Sequence, residues 1–192
     1  MTTSKKLVIA IVALSLALVC VVGGTLAYLF DVTDKIENVF NPQNIDVDLT
    51  ETPREYNMVP GVILPKDPKV TIDSDIAGYV FVEITVANNV WNDGTKDVTV
   101  VDWAVADGWT IVPGTTNVYY REVGEGTNTF SVLKDDQVKV SVDVTKEYMD
   151  GLEKSTIVKP TLTFKAYATQ LLKEGTTNFE PAEAWEIAKG GN

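Results

Sequence analysis

The sequence predicts an all-β chain, folded as a single antiparallel sandwich with one or two short helices and preceded by an export signal. Three observations predict it. Apolar residues recur with period two along most of the chain, turn-forming residues separate these runs at short intervals, and helical periodicity is nearly absent. Period two is clearest in Gln137 to Val144, where Val138, Val140, Val142 and Val144 alternate with Gln137, Lys139, Ser141 and Asp143. Such a strand wets one face and buries the other.

The first element is the N-terminal stretch. Lys5 and Lys6 form a short positive region, after which Leu7 to Phe30 runs 24 residues without a charge. Gly23 and Gly24 break the apolar run, and Thr25-Leu26-Ala27 places small residues at the minus-three and minus-one positions of a signal-peptidase site. Cleavage is therefore expected between Ala27 and Tyr28. The competing reading is an uncleaved anchor, since 24 uncharged residues are long enough to span a bilayer. This divides the chain into a signal peptide (1–27), an N-terminal arm (28–40) and a β-sandwich domain (41–192). Removing residues 1–27 takes away Lys5, Lys6 and Cys20 and moves the net charge from −11 to −13.

Within the domain, alternation predicts strands at Ile45-Val47-Leu49, Val70-Ile72, Val80-Val82-Ile84-Val86, Val98-Val100, Gln137–Val144 and Leu162-Phe164-Ala166-Ala168. Tyr79 and Phe81 add apolar surface to the second face of the third run, which predicts a central strand covered on both sides. Turn signals lie at Asn41-Pro42, Val59-Pro60-Gly61, Asn92-Asp93-Gly94, Asp107-Gly108, Pro113-Gly114, Gly124, Gly126 and Asp150-Gly151. Two helices are predicted: Lys146 to Lys154 behind Thr145 as N-cap, and Pro181 to Lys189 with Pro181 in its first turn.

Composition excludes several chemistries. The 192 residues include no His and one Cys, so imidazole catalysis, His-ligated metals and a thiolate zinc cluster cannot be built. A net charge of −11 repels phosphate backbones, so nucleic acid is not an expected partner. Asp31, Asp34, Asp46 and Asp48 invite a calcium reading, but no glycine-centred loop with a terminal Glu accompanies them, and Asp46 and Asp48 are the wet face of a strand. Trp91, Trp103 and Trp109 offer either a stacking platform for sugars or core, and the core reading is preferred. No phosphate-binding glycine loop or serine elbow occurs. The chain is expected to have no enzymatic activity and no cofactor.

Gly23-Gly24-Thr25-Leu26-Ala27-Tyr28-Leu29-Phe30-Asp31, then Asn38-Val39-Phe40 and Ile45-Asp46-Val47-Asp48-Leu49, resembles the start of the TasA and camelysin family. Val59-Pro60-Gly61, Lys66-Asp67-Pro68, Tyr79-Val80-Phe81-Val82, Trp109, Tyr119-Tyr120, Ala166-Tyr167-Ala168-Thr169-Gln170 and Trp185 are similar to its later elements, so the resemblance spans nearly the whole chain. Phe40 is followed by Asn41-Pro42-Gln43 where the family usually has glycine. The resemblance implies a jelly-roll-like sandwich, processing by a signal peptidase of the SipW type, and assembly into extracellular biofilm-matrix fibres. It also brings in a metalloendopeptidase reading attached to camelysin, which a chain with no His and no HExxH poorly suits.

A physical route to assembly follows from the arm. Tyr28, Phe30 and Val32 share one parity, and Ile36 and Phe40 follow the charged Asp34-Lys35 break. Added as a strand to a neighbour's sheet, this arm makes a head-to-tail contact that propagates as an open filament unless the rotation closes. The expected partners are thus further copies of the chain, the signal peptidase during export, and other matrix proteins. A monomeric surface module that binds glycan or protein is the alternative.

Overall fold

A computed structural model describes residues 44–53, 57–174 and 176–190. These residues include fourteen strands, two α-helices and a 3-10 turn (Lys134–Asp136), and every strand pairing is antiparallel. In chain order the strands are β1 (Ile45–Thr50), β2 (Ile63–Pro65), β3 (Lys69–Ser74), β4 (Gly78–Ala87), β5 (Val90–Asn92), β6 (Asp97–Thr99) and β7 (Val101–Asp102). They continue with β8 (Thr110–Ile111), β9 (Val118–Val123), β10 (Gly126–Ser131), β11 (Gln137–Val140), β12 (Thr161–Gln170), β13 (Leu172–Glu174) and β14 (Thr177–Asn178). The helices are α1 (Lys146–Glu153) and α2 (Pro181–Gly190).

Three sheets carry the architecture, ordered β1-β3-β10, β12-β4-β9-β8 and β2-β11-β7. The strands β3 and β4 explain why the first two face each other. Val70 and Ile72 on β3, and Val80, Val82 and Ile84 on β4, are all fully or almost fully buried and share one core with Trp109, Val123 and Val132. Removing that much aliphatic surface from water is the main term holding the two sheets together, at about 25 cal/mol per Å².

The opposite face of β4 is covered too. Tyr79 and Phe81 are buried under α2, whose Trp185 ring lies 5.6 Å from Phe81 and 5.0 Å, edge-on, from Tyr167 of β12. Tyr79 donates to the Phe179 carbonyl at 3.0 Å. The expectation of a central strand wrapped on both sides is met, with β12 and β9 as its neighbours over registers Thr161↔Ala87 and Glu83↔Val118.

A third core lies under the β2-β11-β7 sheet. Val98, Val100, Val140, Val144 and Tyr148 are buried there, and Trp91 stands 5.3 Å from the Tyr148 ring. Helix α1 starts as predicted, with Thr145 in an extended conformation accepting a hydrogen bond from the Tyr148 amide. Helix α2 begins at Pro181, also as predicted.

Two expectations are corrected. The strand predicted over Gln137–Val144 stops at Val140, because the Val144 amide bonds back to the Ser141 carbonyl and the chain turns. Val142 is consequently 68% exposed, while Val144 re-enters the core just ahead of the helix. Asp150-Gly151 is not a turn but lies inside α1. Gly151 is there for space: a Cβ at that position would fall 2.4 Å from the Ile157 Cδ1.

Candidate functional site

The two facing sheets meet the outside along two sides, and the two sides are built differently. On one, β9 and β10 are joined by an aromatic and guanidinium stack. Arg121 of β9 lies with its guanidinium carbon 4.4 Å from the Phe130 ring centre and 5.5 Å from that of Trp109. Its Nε donates to the Gly108 carbonyl at 3.2 Å and an Nη to the Asp107 carbonyl at 3.0 Å, while the Trp109 indole donates to the Ser131 carbonyl at 2.8 Å. Burial lowers the Arg121 pKa from its ordinary value, and the two carbonyls and two aromatic faces take the place of a carboxylate partner. This side is plugged.

On the other side, β1 and β12 run alongside each other as edge strands of different sheets. Their Cα atoms come within 8 Å, yet no backbone pairing joins them. Ile45, Val47 and Leu49 of β1 and Leu162, Phe164, Ala166 and Ala168 of β12 touch the shared core but are each only half-buried. A hollow of about 230 Å³ opens between Leu49, Thr50 and Pro68 on one flank and Leu162, Thr163 and Phe164 on the other. Among the described residues, the outer backbone edge of β12 has no strand hydrogen-bonded to it. Ten residues of unpaired strand edge are a template for another chain.

One side chain clasps this seam. Lys66 follows β2, donates to Glu51 Oε1 at 2.7 Å just beyond the end of β1, and lies 5.3 Å from the Phe164 ring centre on β12. Its side chain is 14% exposed, so its ammonium works in a partly desolvated setting where such contacts are stronger than at a free surface. Next to the clasp a second cavity, about 120 Å³, is walled by Met58, Leu64, Val86, Val101, Val138 and Leu162. Its lining is mainly apolar, with Lys66, Asn89 and Thr161 as the polar members.

The residues that the sequence marked for processing and assembly, Ala27, Tyr28, Phe30, Val32, Ile36 and Phe40, lie outside the described residues, as do Asp31, Asp34 and the Asn41-Pro42 turn. Asp46 and Asp48 are exposed on β1 opposite the half-buried Ile45, Val47 and Leu49, as read, and among the described residues no three acidic side chains converge as a metal site would require. Trp109 is core, Trp91 packs on Tyr148, and Trp103 is half-buried against the main core. Sequence reasoning missed Lys66, Glu51 and Arg121. The signal for Arg121 was its parity with Tyr119 and Val123, which places a permanent charge on the inward face of a strand. For Lys66 no local pattern distinguishes it from a solvated lysine. No protein-family model, curated protein or solved structure matches the chain.

Proposed function

We propose that this protein is a secreted structural subunit, a jelly-roll-like sandwich that assembles head-to-tail into extracellular matrix fibres by lending the arm Tyr28–Phe40 to the next copy. The observation that carries the reading is the seam between β1 and β12: two edges unpaired among the described residues and flanked by half-buried apolar side chains, opposite a side that is plugged. Only one side then accepts a strand, and a donor and an acceptor that differ give a contact with polarity. The resemblance of the Gly23–Asp31 junction and the following strand to TasA and camelysin proteins supports the same reading. Under it the partners are other copies and a SipW-type signal peptidase, the location is the bacterial exterior, and the role is not enzymatic.

Geometry sets what insertion demands. Paired strands stand about 4.8 Å apart, so a strand seated between β1 and β12 holds them about 9.6 Å apart. The seam must part by at least about 1.6 Å where its Cα atoms now lie within 8 Å, and the Lys66 clasp resists that parting. Burying four or five apolar side chains of the arm contributes about 6–15 kcal/mol, and ordering about a dozen residues costs about 1–2 kcal/mol each. These terms nearly cancel. The net gain comes from the half-buried surface of β1 and β12 and from the new ladder of hydrogen bonds.

Sedimentation of protein beginning at Tyr28 against protein beginning at Asn41 tests the reading. Filaments from the first and monomers from the second are expected; monomers from both, at high concentration, overturn it. Joining Thr50→Cys to Thr163→Cys with a short bis-maleimide is expected to hold the seam shut and stop growth.

A further inference from the structure

A separate hollow of about 300 Å³ lies on the outer face of the β2-β11-β7 sheet. Its floor is a cross-strand row in which Lys139 stands opposite Ile63 on one side and Asp102 on the other. Trp103, partly buried against the main core after β7, forms one wall, and Lys134 and Asp135 line the other side from the 3-10 turn that precedes β11. That turn is strained. Asp135 and Asp136 are consecutive non-glycine residues with φ of 55° and 51°, a left-handed pair costing about 1–3 kcal/mol for each residue. It is held in place by the Lys134 amide on the Ala104 carbonyl and the Lys66 amide on the Asp136 carbonyl, both short backbone bonds.

What distinguishes the hollow is that its polar groups are unspent. The side chains of Asp102, Lys134, Asp135, Gln137 and Lys139 make no hydrogen bond or ion pair within the described residues, and neither does the Trp103 indole N–H. Two ammonium groups and two carboxylates line one concavity without pairing among themselves. Asp102, Lys134, Asp135 and Lys139 are exposed, so each is solvated while the hollow is empty and is free to exchange water for the hydroxyls of a ligand.

We infer that this hollow binds a neutral polysaccharide. A pyranose ring has an apolar C–H face that suits an indole and a rim of hydroxyls that both donate and accept, which suits carboxylates, ammonium groups and an amide together. The hollow sits at the small end of ligand-site volumes and is open, fitting a passing stretch of chain rather than an enclosed small molecule. The charges within it balance, whereas the whole chain carries −11, so a polyanion meets long-range repulsion and no local compensation. The inference is independent of the seam and of fibre growth, since neither strand edge contributes to the hollow.

Affinity electrophoresis of the full chain, kept in a sugar-free polyoxyethylene detergent, tests this with three probes: dextran, hydroxyethylcellulose and polygalacturonate. Retardation by at least one of the two neutral polymers and none by polygalacturonate is expected. Trp103→Ala is expected to abolish the retardation. Because Trp103 also touches the core, Asp102→Ala combined with Gln137→Ala serves as a second variant, expected to weaken retardation at least fivefold with an unchanged urea midpoint. No retardation by either neutral polymer, retardation by polygalacturonate alone, or full retardation of the Asp102/Gln137 double variant overturns the inference.

Discussion

Arg121 and Gly108 are fitted to one another: the Arg121 Nε donates to the Gly108 carbonyl at 3.2 Å, and a Cβ on Gly108 would lie 1.6 Å from an Arg121 Nη. Gly108 also has a φ of +88°. Gly108→Ala therefore meets two penalties, about 1–2 kcal/mol for the left-handed backbone and the displacement of a guanidinium whose hydrogen bonds are worth about 1 kcal/mol each. Gly114 has a φ of +84° and open space around it, so Gly114→Ala meets only the first. Urea unfolding is expected to show Gly108→Ala destabilising by about 3 kcal/mol and Gly114→Ala by about half that or less. Equal losses would mean that the plug does not depend on the close approach.

The clasp at the seam predicts a split between stability and assembly. Lys66→Met removes both the ammonium over Phe164 and its bond to Glu51. Glu51 is 30% exposed and rehydrates, and the thioether still fills the space beside the ring, so the fold is expected to lose about 1–3 kcal/mol. Under the proposed strand exchange the seam parts more readily, and light scattering is expected to show a shorter lag before filaments appear. A longer lag argues against insertion at this seam.

Trp185 closes the outer face of β4 against Phe81 and Tyr167. Trp185→Ala is expected to destabilise by about 3–5 kcal/mol, and Trp185→Phe by clearly less, since an aromatic ring still covers Phe81. Chemical denaturation followed by far-ultraviolet circular dichroism, which does not depend on the lost fluorophore, measures both.

Asp93 organises the turn between β5 and β6. One carboxylate oxygen accepts from the Thr95 hydroxyl and from the Thr95 and Lys96 amides, and these bonds hold its pKa down to about 2. A lowered carboxyl pKa gives stability that is complete above the unfolded value near 3.8 and is lost as the pH falls through the folded value. The gap in urea midpoint between wild type and Asp93→Ala is thus expected to be constant from pH 7 to about pH 5 and to shrink towards pH 2. Carbon-13 titration of the Asp93 carboxyl checks the same point directly.

Much of the strand layout could be read from residues that see only one environment. Val70, Ile72, Val80, Val82 and Ile84 each face a dry core and alternate cleanly, and the double-sided burial of β4 announced itself in Tyr79 and Phe81. β9 and β10 escaped because their patterns are mixed. In Val118–Val123 a tyrosine sits on each face and an arginine points inward, and Gly126–Ser131 is an edge strand with little apolar content. Val142 misled because alternation continues in the letters after the backbone has turned. Asp150-Gly151 misled because the same dipeptide serves a tight turn and a close approach inside a helix. The seam was not legible at all: which edge strands lie together is decided by pairings such as β1 with β3 and β12 with β4, made far along the chain and set by no local signal.

The bond from Tyr79 to the Phe179 carbonyl joins positions 100 apart in sequence, and Trp185 reaches Phe81 over a similar span. Half of the central sheet therefore waits, with one greasy side bare, until the segment around Trp185 has been synthesised. Such distant closure makes for slow acquisition of the native state, and under the proposed export it would keep the polypeptide threadable for almost its entire passage.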